Sequence, residues 1–123
     1  MAEQTRNCLL LVEDDVLVRM TVALMLEDDG FKVVEAGDAA EAMRLAEGGL
    51  DIPVMITDVD LGAGANGMVL ADQMRVLHPG MAVVFITGRP QSLAGRPLGP
   101  RDAVLAKPFE GGALSQLVAR LVG

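Results

Sequence analysis

Tryptophan and tyrosine are absent from this chain, and three phenylalanines are its whole aromatic complement. A hydrophobic share of 51% must therefore build its core from aliphatic side chains and from eight methionines, which read as core filler and not as metal ligands. Cysteine occurs once, at Cys8, which excludes a disulfide framework and a thiolate metal site. Within its apolar run Cys8 reads as a small buried residue. The one histidine, His78 in His-Pro-Gly, reads as a solvated helix end and not as a relay histidine. Lysine occurs twice, as Lys32 and Lys107, and the net charge of −7 comes without a basic block. That balance argues against nucleic-acid binding by this chain alone. No apolar run approaches the ~18 residues of a membrane span, and the start lacks a charged-then-apolar signal pattern. The expectation is a soluble cytoplasmic protein without membrane contact, monomeric or weakly dimeric.

What is present is a regular alternation. A chain of 123 residues predicts one domain over 1–123, able to bury roughly 65–70% of the surface of its unfolded form. Cys8 to Val12 is a continuous apolar run, as expected of a parallel strand covered on both faces. Asp15 is placed to cap a helix whose inward stripe includes Val18, Val22, Met25 and Leu26, with a stop at Gly30. Phe31, Val33 and Val34 form a second strand, and Asp38 precedes a helix from Ala39 to Ala46 that Gly48-Gly49 ends. Pro53 to Thr57 is the third strand. Asn66-Gly67 opens a third helix with Leu70, Met74 and Leu77 inward, closed by His78-Pro79-Gly80. Met81 to Ile86 is the fourth strand. Residues 88–102 mix Pro90, Pro97 and Pro100 with Gly88, Gly95 and Gly99, so a fourth helix there is short or irregular. A short strand at 103–106 and a helix from about Gly112 to Leu121 follow. Strands alternating with helices predict an α/β fold, a doubly wound five-stranded parallel sheet with helices on both faces.

In such sheets the site lies beyond the carboxyl ends of the strands. Four apolar runs end there in polar groups: Glu13-Asp14-Asp15, Asp58, Thr87 and Lys107. Carboxylates from Glu13, Asp14 and Asp58 at neighbouring strand ends would repel one another, which favours a divalent cation. Oxygen-only ligands with room for water suit magnesium. A carboxylate nucleophile with a metal, a lysine and a hydroxyl describes phosphoryl transfer onto Asp58.

Leu-Val-Glu-Asp-Asp at 11–15, Asp58, Phe85-Ile86-Thr87-Gly88 and Lys107-Pro108-Phe109 resemble, in order and spacing, the receiver domain of two-component response regulators. The resemblance covers nearly the whole chain and implies a flavodoxin-like sheet in the order 2-1-3-4-5. It implies that Asp58 accepts a phosphoryl group from a sensor histidine kinase or phosphotransfer protein. Asp14 and Asp58 would be side-chain Mg2+ ligands, Asp60 would ligate through its backbone carbonyl, and Glu13 would act through water. Thr87 would turn toward the aspartyl phosphate and Lys107 would pair with it. The Lys107-Pro108 bond would be cis. The domain would assist its own phosphorylation and dephosphorylation without being an enzyme in its own right, and would signal through protein contacts.

Three features depart from that pattern. Val104 stands where most receivers carry an aromatic. Gly62-Ala63-Gly64 replaces a proline region after Asp58, and the 88–102 stretch is rich in Pro and Gly. Phe85 to Arg89 is also similar to the Phe-Ala-Thr-Gly-Tyr motif of an alphaproteobacterial group of single-domain regulators, with Arg89 in place of the final aromatic. Asp60 and Arg89, each two residues beyond a site residue, are expected to face each other across the site. Two alternatives stay open: a receiver from a hybrid histidine kinase, and a phosphatase-like hydrolase, whose Asp-x-Asp fragment Asp58-Val59-Asp60 matches. Met1 and the polar start favour a free-standing protein.

Overall fold

Asp15, Asp38 and Asn66 start three of the helices. Each holds extended backbone while its side chain accepts from amides of the first helical turn. Glu41 Oε1 also accepts from the Gly37 amide at 2.7 Å, so the second helix is closed from both sides of its cap. The structure, a computed structural model, describes residues 8–63, 65–89 and 98–122. In chain order the elements are β1 (Cys8–Val12), α1 (Val16–Asp28), β2 (Lys32–Ala36), α2 (Ala39–Glu47), β3 (Val54–Asp58), α3 (Gly67–Leu77), β4 (Ala82–Thr87), β5 (Asp102–Ala106) and α4 (Gly111–Val122).

The sheet is parallel throughout, in the order β2-β1-β3-β4-β5. Strand residues alternate between two cores. Leu10, Val12, Met55, Val83 and Phe85 meet α2 and α3 on one face, while Leu9, Leu11, Ile56, Val84 and Ile86 meet α1 and α4 on the other. Helices on both faces explain why the strands read as unbroken apolar runs instead of alternating ones. Cys8 is buried in β1, and burial pushes its thiol pKa up, which keeps it inert.

The expected elements form, with β3 and β4 each carrying one residue further, to Asp58 and Thr87. Two expected core residues do not bury. Val18 is 37% exposed and Leu77 44%, although Val22, Leu26, Leu70 and Met74 are buried as their spacing requires. Helix α1 is apolar almost all round, so periodicity cannot choose its inner face, and Leu77 ends its helix. The irregular helix expected between β4 and β5 falls on residues 90–97, outside the described residues.

Candidate functional site at the strand ends

The order β1-β3-β4-β5 brings four carboxyl ends side by side, and each delivers at least one polar group to an open cleft. Glu13, Asp14, Asp58, Asp60, Thr87 and Lys107 line it, so every residue singled out for the site is brought together. Asp58 ends β3 with its side chain 12% exposed. Lys107 Nζ donates to its Oδ2 at 2.6 Å and stands 3.9 Å from Glu13 Oε2. The Lys107 amide donates to the Thr87 carbonyl, prolonging the β4–β5 ladder, and the Lys107-Pro108 bond is cis. Burial works against the Lys107 charge, but the bond to Asp58 and the surrounding carboxylates outweigh it, and its pKa is raised. Thr87 is buried and its Oγ1 accepts from the Arg89 amide at 2.9 Å.

Glu13 is the most perturbed acid. Burial raises its carboxyl pKa; the Asp15 amide and Lys107 oppose the rise, the Asp58 charge adds to it, and the result is about 7. The folded chain therefore holds a proton on Glu13 that the unfolded chain has already released. Metal-free protein is expected to lose stability as pH rises from about 4.5 to about 7. Melting curves in chelator across that window test this: Glu13→Gln should remove much of the slope, and parallel curves for variant and wild type would refute it.

Between β3 and α3 the chain folds back tightly. Asp60 N–H donates to Asp58 Oδ1 at 3.2 Å, and Asp60 Oδ1 accepts from Gly62 N–H at 3.0 Å. Gly62 has φ +75°, and a Cβ there would come within 2.7 Å of Asp14 Oδ2, so glycine lets this loop lie against the acidic turn. Asp60 and Arg89 do line the same cleft, but among the described residues they form no ion pair, because the Asp60 carboxylate turns back to its own loop. Gly67, which opens α3 as expected, is pressed against β3, and Arg19 reaches the β1 terminus. A Cβ on Gly67 would lie 2.2 Å from the Asp58 carbonyl oxygen, and Arg19 Nη1 donates to the Glu13 carbonyl at 2.9 Å. Asn66-Gly67 marks a helix start in the sequence, but neither the close approach of Gly67 to β3 nor the Arg19 contact leaves a local signal.

The donor set fits magnesium. Three carboxylates face one lysine, and the Asp58 charge adds to the rise that burial imposes on the Glu13 pKa. Among the described residues no three His, Cys, Asp or Glu side chains are grouped so as to hold a metal ion by themselves. Magnesium needs no such group, since it keeps several waters and takes one or two carboxylates. Among the described residues the Asp60 carbonyl accepts none of the loop's backbone bonds, which run from Leu61 to Ala65, from Ala65 to Gly62 and from Gly67 to Val59.

The fold and this cleft define a phosphoacceptor class, and the response regulator receiver domain family matches residues 9–119. The chain belongs to that family, and its role is two-component phosphoacceptor signalling. It is 35% identical over 104 residues to the aerobic respiration control protein ArcA of Escherichia coli K12, covering 82% of this chain and 42% of ArcA. It is 34% identical over 104 residues to the sensor kinase CckA of Brucella abortus, covering 81% of this chain and 11% of CckA. The chain thus spans less than half the length of these curated relatives. A response regulator receiver protein of Sinorhizobium medicae superposes with a TM-score of 0.85 at 26% identity, over 94% of this chain and 93% of that one. No described helix is long and apolar enough to cross a membrane.

Proposed function

We propose that Asp58 is the phosphoacceptor and that Asp14, Asp58 and the Asp60 carbonyl hold Mg2+, with Glu13 acting through water. The observation that carries this reading is the 2.6 Å contact of Lys107 Nζ with Asp58 Oδ2 beside the surplus acids of β1. In the reaction an Asp58 carboxylate oxygen attacks the phosphorus of a phosphohistidine, and the phosphorus–nitrogen bond breaks toward the donor imidazole. Bound Mg2+ supplies charge neutralisation between the acids and the incoming phosphoryl oxygens. Lys107 exchanges its carboxylate partner for a phosphoryl oxygen. Thr87 offers its hydroxyl to another, once released from the Arg89 amide. The partner in this reading is a histidine kinase or phosphotransfer protein, met in the cytoplasm.

Incubation with a small phosphodonor and Mg2+ tests the reading by intact mass. One phosphoryl group per chain is expected on the wild type, none after chelation, and none on Asp58→Asn. Equal labelling of Asp58→Asn would overturn the assignment. Continuous phosphate release without a stable phosphoprotein would instead favour a hydrolase.

A further inference from the structure

Arg19 lies outside the cleft, yet it touches the backbone that carries two of the cleft's acids. It sits one turn into α1, its amide donating to the Asp15 carbonyl, and its side chain is only 18% exposed. Nη1 donates to the Glu13 carbonyl at 2.9 Å, while Nε pairs with Glu35 Oε1 at 3.2 Å. The guanidinium passes over Gly37, where a Cβ would lie 3.2 Å from Nη1, so glycine leaves it room. On its other side the Glu13 residue is held by its own N–H, which donates to the Ala36 carbonyl. Both polar groups of the Glu13 backbone are therefore tied, one to β2 and one to α1. The peptide joining Glu13 to Asp14 cannot rotate without breaking the Arg19 bond, and its orientation sets where both carboxylates point.

We propose that Arg19 is a positioning residue for the metal-binding acids, aiming Glu13 and Asp14 through the Glu13 carbonyl. The inference rests on the Mg2+ reading above, and electrostatics gives it a sign that can be checked. A guanidinium near carboxylates repels a divalent cation, so by charge alone its removal would tighten Mg2+ binding. By positioning, removal loosens binding, as loss of a residue that orients a ligand does elsewhere, on the order of 10-fold.

Isothermal titration of the whole chain with MgCl2 is the test, since the absence of Trp and Tyr leaves no strong intrinsic fluorophore. Arg19→Met should weaken Mg2+ binding about 10-fold. Arg19→Lys should recover part of that loss, its ammonium keeping one donor for the carbonyl. Glu35→Gln, which leaves the Arg19–Glu13 bond in place, should stay within about twofold of wild type because exposed ion pairs contribute little. In metal-free protein, Arg19→Met should shift the backbone amide resonances of Asp14 and Asp15 while those of α3 stay in place, which also shows that the variant folds. Unchanged or tighter Mg2+ binding by Arg19→Met overturns the proposal, as does a variant that fails to fold. No binding by the wild type overturns the metal reading, and this inference with it.

Discussion

Gly67→Ala is expected to destabilise the domain by about 3 kcal/mol, the upper end of the usual cost of overpacking, because the obstructing atom is backbone. A Cβ at this position would lie 2.2 Å from the Asp58 carbonyl oxygen and 2.8 Å from Thr57 Oγ1. The carbonyl is backbone at the end of a central strand, and Thr57 Oγ1 already donates to it at 2.9 Å. Helix α3 would have to back away from β3, and Asp58 would move with the loop. Gly62→Ala is the informative comparison. There the obstructing atom is Asp14 Oδ2, the far end of a side chain that can swing aside. What remains is the positive φ, which costs a non-glycine residue about 1 kcal/mol or somewhat more. Thermal melts of both variants check the order. A Gly67→Ala midpoint equal to wild type would mean that α3 does not press on β3 as described.

Arg75→Met is expected to cost about 3–5 kcal/mol, the usual result of leaving a buried charge without its partner. Asp102 opens β5 with a side chain only 4% exposed, and its Oδ1 lies 2.6 Å from Arg75 Nη2. That contact is a charge contact without hydrogen-bond alignment, so Oδ1 depends wholly on the guanidinium. Oδ2 accepts from the Gly99 amide at 2.8 Å, and Arg75 also donates to the Met81 carbonyl through Nε and Nη2. One arginine on α3 thus ties the starts of β4 and β5 at the end of the sheet opposite the cleft. Adding Asp102→Leu to Arg75→Met should restore much of the loss, since an apolar pair needs no compensation. Denaturant titration decides it, and a loss under about 1 kcal/mol for Arg75→Met would place the pair with ordinary surface ion pairs.

Much of this molecule is legible in its sequence. The unbroken apolar runs of β1, β3 and β4 announce burial on both faces, and Asp15, Asp38 and Asn66 announce helix starts. Glu13, Asp58, Thr87 and Lys107 could be named because each ends such a run, and parallel strands all end at the same edge. Among the described residues Asp60 and Arg89 do not pair, for a corresponding reason. Positions two residues past the strand ends do share the cleft, but side-chain direction belongs to the loop, and the Gly62 amide takes the Asp60 carboxylate.

The class of fold, the identity of the acids and the chemistry they can support are all written in the order of residues along the chain. Those properties follow from periodicity, capping and strand termini, which are written within a few neighbouring residues. Only the tertiary structure decided that Arg19 reaches the Glu13 carbonyl, that Gly67 must lack a side chain, that Arg75 serves Asp102, and that Val18 and Leu77 stay exposed. These are distances between segments far apart in the chain. They are set by how helices settle on the sheet, and no local pattern carries them.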